Sequence, residues 1–262
     1  MSGDIRSGTQ SLERAFGLLK LVAASGPRGL RLTDLIAATG MQRPTVARMV
    51  LSLTRLELLA RVEGTSYYIL GDYCRELGAA FAMPSDLRAI CSPVLEAVSK
   101  DTGNSTFLFV PAEADTLCVA RCIGSYPIQV LSIKIGHRQP IGVGAGGVAM
   151  LSALSGEDSE RILRGNERRL KNYGDLGAST VRAILRAAKL RGYALMGHYS
   201  VPGVVGIGVP LRNAKGEMVG AITSASISSR MSRAVSQQAA ECVMHHLKSV
   251  QARLDVLPAA LA

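Results

Sequence analysis

Three closely spaced helical patterns followed by two short strands occupy roughly the first seventy residues, and this order constrains the fold more than any other feature. In the first pattern, apolar residues recur at helical spacing and predict a helix that ends at Gly26. These apolar residues are Leu12, Phe16, Leu19 and Ala23. Thr33 is a suitable N-cap for a short second helix, and Gly40 is a suitable left-handed C-cap for it.

The third helix begins near Pro44 and carries an apolar stripe at i, i+3, i+4 and i+7 spacing. The stripe consists of Val46, Met49, Val50, Leu53 and Leu56. Two apolar runs follow at residues 58–62 and 67–70, and the polar residues between them predict a β-hairpin. Helix, four-residue turn, helix and hairpin in this order predict a helix-turn-helix followed by a wing.

The face of the third helix opposite its apolar stripe is polar or basic, as a helix that enters the major groove requires. No acidic residue lies between Met41 and Leu56. The candidate DNA contacts here are Gln42, Arg43, Pro44, Thr45, Arg48 and Ser52. Arginine can bind guanine in a bidentate fork, and glutamine can bind adenine. An ordinary solvated helix is the alternative, although it would normally include Glu or Asp.

The hairpin is a candidate wing along the DNA backbone. Arg61 would pair with a phosphate, while Thr65 and Ser66 would donate hydrogen bonds to it. A plain connecting hairpin is the alternative for each of these residues. Thr33, at the start of the second helix, completes the set of candidate DNA contacts.

The net charge of the chain suits a polyanionic partner, because 30 Lys and Arg outnumber 20 Asp and Glu to give +10. Charge alone does not separate nucleic acid from an anionic membrane surface. Aromatic residues make up only 4% of the chain, which disfavours a binder of single strands or RNA that stacks bases on rings. Duplex DNA makes no such demand.

The N-terminus, Met1–Arg6, lacks the order of a secretory signal, so we expect a cytoplasmic protein without a membrane partner. Five scattered cysteines show neither CxxC spacing nor histidine partners and predict reduced thiols without a metal site. They are Cys74, Cys91, Cys118, Cys122 and Cys242. No HExxH, GxSxG or paired Cys-His spacing appears, so we predict no catalytic residues, no cofactor and no enzymatic activity.

A helical linker follows the hairpin and marks the domain boundary. Asp72 can cap a helix that runs to about Ala82, and a second apolar stripe predicts a helix that ends near Asp101. Pro93 should kink or restart this second helix. The predicted domains are residues 1–71, a linker helix at 72–84, and residues 85–262.

The remaining chain alternates between strand and helix patterns. Predicted strands cover residues 105–110, 116–123, 128–135, 193–197, 204–211 and 218–226, and predicted helices cover 146–154, 157–164, 180–191 and 233–254. Strands joined by turns such as Asn213–Gly216 favour an antiparallel sheet with helices packed on it. The fold class is therefore α+β rather than a doubly wound parallel sheet.

A glycine-rich segment, Gly142–Gly147, satisfies the GxGxxG string of a dinucleotide site. That string requires a parallel βαβ unit, but the returning strand would fall at Arg164–Gly174, which is polar and basic. We therefore reject a nicotinamide site. The segment still opens into a helix whose first N–H groups favour an anion such as a carboxylate, with tight packing on the sheet as the alternative.

Taken in order, several segments of the chain resemble the IclR family of bacterial transcription regulators, from about Gly8 to Leu254. They include SLERAFGLLKLV, LTDLIAATGMQRPTVARMVLSLTRLELLARV, YYILG, IGHRQPIGVGAGGVAMLSAL and PGVVGIGVPLRNAKGEMVGAITSASIS. The resemblance implies a winged helix-turn-helix joined by a linker helix to a GAF-like α/β effector domain. It also implies assembly as dimers, often as dimers of dimers, and no enzymatic activity.

The resemblance further implies which residues bind ligands. The family's recognition segment falls on Arg43, Pro44, Thr45 and Arg48, and its effector pocket falls on Ala145, Gly146, Met196, Gly206, Thr223 and Ala225. We expect a regulator that binds a pseudo-palindromic duplex operator and controls catabolic genes in response to a small organic acid. The alternative is an enzyme or a ligand-binding module whose winged domain serves only protein assembly.

Overall fold

The computed structural model describes residues 9–80 and 85–260, which fall into two compact units on either side of residues 81–84. The end of the predicted linker helix lies outside the described residues, as does the N-terminal segment Met1–Arg6. Among the helices described, none is long and apolar enough to cross a membrane.

The first unit has the predicted order of three helices followed by a hairpin. Its elements are α1 (Gln10–Ser25), a 3-10 turn (Gly26–Arg28), β1 (Leu30–Arg31), α2 (Leu32–Thr39), α3 (Arg43–Arg55), β2 (Leu59–Arg61), β3 (Tyr67–Leu70) and α4 (Asp72–Ala80). The strands form an antiparallel sheet in the order β1-β3-β2. The short strand β1 was not predicted, because two residues carry no periodic pattern.

The core of the first unit lies between α1, α2, α3 and the hairpin. Its buried members are Leu18, Val22, Leu35, Val46, Val50, Leu53 and Leu59. The stripe predicted for α1 was wrong in part, since Leu12 is 58% exposed and Phe16 is 51% exposed, whereas Leu19 packs against the core. Helix α1 has apolar residues on two faces, and packing buries the face with Leu18 and Val22. Leu56 follows the last residue of α3 and is 61% exposed, so it does not belong to the buried stripe of α3.

The predicted N-cap of α2 at Thr33 was also wrong. The backbone N–H of Arg31 donates to the Asp34 carboxylate across 2.9 Å, and the helix begins at Leu32. The Asp34 carboxylate therefore accepts the hydrogen bond at the start of the helix. Thr33 is the second residue of the helix, and its side chain is exposed.

The second unit is an α+β fold built on one antiparallel sheet, as predicted. Its elements are α5 (Ser85–Thr102), β4 (Ser105–Ala112), β5 (Asp115–Cys122), β6 (Arg138–Pro140), α6 (Gly144–Ala153), α7 (Gly156–Leu170), α8 (Ala178–Arg191), β7 (Ala194–Gly197), β8 (Val204–Arg212), β9 (Met218–Ile227), α9 (Arg233–Leu247) and α10 (Gln251–Leu254). The strand order is β6-β5-β4-β9-β8-β7. Helix α5 continues through Pro93 without a restart.

Helices cover both faces of this sheet. Successive side chains of β4 point to opposite faces. Phe107 and Phe109 join the core around α6, whereas the Thr106 hydroxyl donates to the Leu95 carbonyl of α5 across 2.9 Å. Because helices cover both faces of the sheet, β9 is buried along nearly its whole length.

Two predicted elements of the second unit were wrong. The segment 128–135 is irregular rather than a strand, because its buried residues are Val130 and Ile133 while Ile128, Leu131 and Ile135 are exposed. A half-buried strand requires alternation with period two, which this pattern lacks. The second error concerns the helix predicted at 233–254, which is two helices: α9 ends at Leu247, and the short helix α10 follows it.

Candidate functional site

Helix α3 presents most of its candidate DNA contacts to solvent. Gln42 is the N-cap, and the helix begins at Arg43, one residue before the predicted start. Gln42, Arg43, Pro44, Arg48 and Ser52 are exposed, while Thr45 is half-buried. The exposed side is therefore polar and cationic.

A surface groove between α1 and α3 borders three of these candidates. Thr45, Arg48 and Ser52 line it together with Leu12 and Phe16 of α1. Arg14 of α1 lines a neighbouring groove with Gln42 and Thr45, a contact that the pattern of α3 alone does not predict. Leu51 is also exposed, at 54%, on α3.

The hairpin is held by hydrogen bonds within its own turn. The Arg61 Nε–H donates to the Thr65 carbonyl across 2.8 Å, and the Thr65 hydroxyl donates to the Val62 carbonyl across 2.9 Å. Ser66 is exposed at the tip. The guanidinium of Arg31 lies 4.7 Å from the centre of the Tyr67 ring, which adds a cation beside the hairpin that the sequence analysis missed.

The second unit contains a cavity at the start of α6, which we call the α6 cavity. It is lined by Phe109, Ile133, Gln139, Gly144, Ala145, Gly146, Met196, Gly197, His198, Ser200, Val201, Val204, Gly206, Thr223 and Ala225. All six candidate effector residues are among them, although they come from α6, β7, β8 and β9. The cavity volume is about 40 Å³.

Glycines let the strands approach the first turn of α6. Gly144 has φ of +71°, and a Cβ there would lie 2.7 Å from Nε2 of Gln139. At Gly208, a Cβ would lie 2.3 Å from the carbonyl oxygen of Ala145. Only glycine fits this second position, because the opposing atom belongs to the backbone.

Thr223 places a hydroxyl in the α6 cavity. The residue is 5% exposed, and within the described chain its Oγ1 is buried without a hydrogen-bond partner. A buried polar atom without a partner is energetically costly, and such atoms are rare in folded proteins. The hydroxyl is therefore an unsatisfied polar group in the wall of the α6 cavity.

Among the described residues that line the α6 cavity there is no Asp, Glu, Lys or Arg. Its electrostatics arise from the N-terminus of α6, where first-turn N–H groups have no acceptor within the helix and the helix dipole is positive. Phe109, Met196 and Val204 supply apolar walls. Such a site can hold the anionic group of a ligand against α6 and its apolar part against the sheet.

The residues at the rim of the cavity were not predicted from the sequence. The Ser200 hydroxyl donates to Oε1 of Gln139 across 2.7 Å, and Nε2 of Gln139 donates to the Val143 carbonyl across 3.0 Å. His198 lies beside them with φ of +71°. Ser200 and Gln139 are 61 residues apart, and no local pattern signals such a contact.

All five cysteines lie in the described residues and are free thiols. Burial raises the pKa of Cys91 and of Cys118 to about 12, so both stay protonated near neutral pH. These two thiols fill the core and are poor nucleophiles.

A winged helix-turn-helix unit with a cationic outer face, followed by a unit with a largely apolar cavity at a helix N-terminus, defines a ligand-responsive transcriptional regulator. The IclR helix-turn-helix domain matches residues 11–63, and the bacterial transcriptional regulator IclR C-terminal domain matches residues 80–251. The chain belongs to the IclR family of bacterial transcriptional regulators.

Individual relatives agree with this assignment. The HTH-type transcriptional regulator KipR of Bacillus subtilis is 26% identical over 204 residues, covering 77% of this chain and 80% of that protein. The crystal structure of the Thermotoga maritima IclR has a TM-score of 0.74 at 16% identity, covering 95% of this chain and 100% of that chain. An IclR homolog of Microbacterium hydrocarbonoxydans, complexed with 4-hydroxybenzoate, has a TM-score of 0.69 at 20% identity, covering 92% and 100%.

The alternative of an enzyme or ligand-binding module with an assembly domain gains no support from these matches. Both matched family domains belong to transcriptional regulators, and so does KipR.

Proposed function

We propose that the protein binds a pseudo-palindromic operator as a dimer or a dimer of dimers, and that a small organic acid in the α6 cavity changes its operator affinity. One observation carries the proposal: the six candidate effector residues, drawn from four elements, line a single cavity that contains an unpartnered hydroxyl. The protein acts in the cytoplasm on catabolic genes, without enzymatic activity and without a cofactor.

The operator contacts belong to α3 and the hairpin. Gln42, Arg43 and Arg48 read base edges or bind phosphates from the exposed side of α3, with Pro44, Thr45 and Ser52 beside them. Arg61, Ser66 and Thr65 follow the DNA backbone from the hairpin, and Thr33 does so from the start of α2. The absence of acidic residues from Met41 to Leu56 supports this role, since an acid there would repel phosphate.

Two copies of the winged unit explain a palindromic operator. Leu12 and Phe16 on α1 are more than half exposed, and both line the groove that also contains Leu56. Exposed apolar patches in a soluble protein commonly mark association surfaces. This supports a second copy packing against α1.

The effector is an anion with a small apolar part. Its carboxylate accepts hydrogen bonds from the first turn of α6 and from Thr223 Oγ1, and its apolar part contacts Phe109 and Met196. The 4-hydroxybenzoate in the complex of the Microbacterium hydrocarbonoxydans homolog belongs to this chemical class. To act as an effector, the acid must bind two conformations of the protein unequally.

Operator binding is tested by electrophoretic mobility shift with the full-length protein across a salt series. Affinity should fall steeply with salt, because phosphate contacts release counterions. Weak binding with no salt dependence would reject the operator role.

The effector is tested by thermal shift with pyruvate, 4-hydroxybenzoate and the uncharged 4-hydroxybenzamide. An acid should raise the melting temperature and the amide should not. In Gly206→Ala the new Cβ lies 3.4 Å from Thr223 Cγ2 and fills the cavity, so acid stabilisation should be lost. Gly165→Ala, which adds a Cβ with nothing within 4 Å, is the matched control. Equal stabilisation of both variants would place the acid elsewhere.

A further inference from the structure

Three metal-ligating side chains meet outside the α6 cavity, where the C-terminal ends of α5 and α9 lie side by side. Nε2 of His246 is 2.7 Å from Oδ2 of Asp101, and Sγ of Cys242 is 4.0 Å from the same oxygen. All three ligand atoms lie within 4.8 Å of one another. The sequence-based expectation that no cysteine has a histidine partner was wrong for Cys242, because His246 is one helical turn away on α9.

The helices beneath the cluster fix its geometry. Val98 of α5 is fully buried, as is Val243 of α9, and Ala239 is 2% exposed. Because α5 and α9 pack against each other, Asp101 lies opposite Cys242 and His246. The cluster itself remains accessible, with the Asp101 side chain 52% exposed and that of His246 26% exposed.

The ligand atoms suit a tetrahedral zinc ion. Zinc accepts thiolate, imidazole and carboxylate together, and bonds of 2.0–2.3 Å place tetrahedral ligand atoms about 3.4 Å apart. The two distances of 2.7 and 4.0 Å fall on either side of that spacing, so small side-chain rotations suffice. Three protein ligands leave the fourth position to water.

The Cys242 thiol is half-buried beside the Asp101 carboxylate. Without a metal ion, the partly exposed His246–Asp101 pair would stabilise the protein little. It would also leave the adjacent Cys242 without a function.

We propose that Asp101, Cys242 and His246 bind one divalent transition-metal ion with the ligand preference of zinc. The ion links the C-terminal end of α5 to that of α9. This site is independent of the operator and of the α6 cavity.

The test uses full-length protein freed of metal by a chelator. Zinc alone is titrated in competition with a chromophoric chelator, and cobalt is added separately to record its absorption spectrum. We expect one zinc ion per chain and a thiolate-to-cobalt charge-transfer band in the near ultraviolet.

Two variants and two matched controls assign the ligands. Cys242→Ser and His246→Ala should each lower zinc affinity about 100-fold or more, since even partners outside the coordination shell cost about 10–100-fold. Cys122→Ser changes another partly exposed cysteine, and His245→Ala changes the adjacent residue on α9, so both should retain wild-type affinity.

The cobalt spectrum of the wild-type protein keeps the test decisive even where a variant fails to fold. A spectrum without the thiolate band overturns the proposal. An unchanged zinc affinity in folded Cys242→Ser overturns it equally.

Discussion

Ser200 donates a hydrogen bond of 2.7 Å to Oε1 of Gln139, which joins the segment after β7 to β6 at the rim of the α6 cavity. The same Gln139 amide donates to the Val143 carbonyl immediately before α6. Both ends of this buried amide are therefore used, and its orientation is fixed. The rim and the first turn of α6 are positioned by one side chain.

Replacing Ser200 with alanine should therefore destabilise the second unit. Oε1 of Gln139 would lose its donor, so we expect the free energy of unfolding to fall by about 1 kcal/mol in urea titration. Ser152→Ala is the control, because within the described residues the Ser152 hydroxyl bonds only to the Ala149 carbonyl of its own helix. Equal unfolding free energies for Ser200→Ala and wild type would show that the Ser200–Gln139 hydrogen bond does not stabilise the second unit.

The unpartnered hydroxyl of Thr223 gives opposite expectations for stability and for ligand binding. Thr223→Val removes a buried polar atom that has no partner, so the free energy of unfolding should rise by about 1 kcal/mol. The same variant should lose much of its stabilisation by an organic acid.

Thr106→Val is the matched comparison for Thr223→Val. Its hydroxyl is also buried but donates to the Leu95 carbonyl, so removing it should lower stability by about 1 kcal/mol. Chemical denaturation of both variants measures the difference. The interpretation of Thr223 fails if its variant is as destabilised as Thr106→Val.

Alanine at Gly208 should disrupt packing between β8 and α6. The added Cβ would lie 2.3 Å from the Ala145 carbonyl oxygen, and backbone cannot move aside cheaply. We expect a loss of about 1–3 kcal/mol in unfolding free energy, whereas Gly206→Ala should stay near wild type. Thermal melts of the two variants without ligand provide the measurement, and indistinguishable melts would contradict it.

Operator affinity should depend on Arg48. If it forms a bidentate contact with a base, Arg48→Ala should cost about 1–3 kcal/mol of binding free energy. Arg186→Ala removes an exposed cation of α8 instead and controls for net charge. Affinities for the cognate operator, measured by mobility shift at fixed salt, compare the two. Equal affinities would remove Arg48 from the contact set.

Acid stability should depend on Glu160. Hydrogen bonds from Arg182 and Arg164 lower its pKa from 4.5 to about 2. The folded state thus favours the ionised carboxylate, and this stabilisation is complete above pH 4.5 and disappears as the pH falls to about 2. Glu160→Gln should be less stable than wild type at neutral pH, and the difference should vanish at the acid end.

Urea unfolding across this pH range measures the effect. Glu157→Gln is the control, because Glu157 lies on the same helix and forms no ion pair in the described part of the chain. A stability gap for Glu160→Gln that does not change with pH would contradict the expectation.

Local patterns predicted most of the fold. The stripe of α5 and the turn at Asn213–Gly216 depend on residues close in sequence, and both are found where expected. The face of α1 was misjudged because both of its sides are apolar, and only packing selects between Leu18 and Phe16. The strand predicted at 128–135 was wrong because apolar residues are frequent there but do not alternate regularly between buried and exposed positions.

The candidate sites were likewise predictable only where a local pattern or a family resemblance pointed to them. The six cavity residues came from resemblance to a family, since no spacing in the chain links Gly146 to Thr223. Gln139 and Ser200 were missed because their contact spans 61 residues. Asp101 was missed for the same reason, being 141 residues from Cys242.

Strand β4 gives the second unit a mechanical connection between its two sides. Phe109 forms part of the α6 cavity, and three residues earlier Thr106 is bonded to Leu95 of α5 on the opposite face. A molecule that displaces the Phe109 ring therefore strains the same stretch of main chain that anchors α5. Because α5 is the first helix after residues 81–84, we expect a ligand that moves Phe109 to shift the start of the second unit as well.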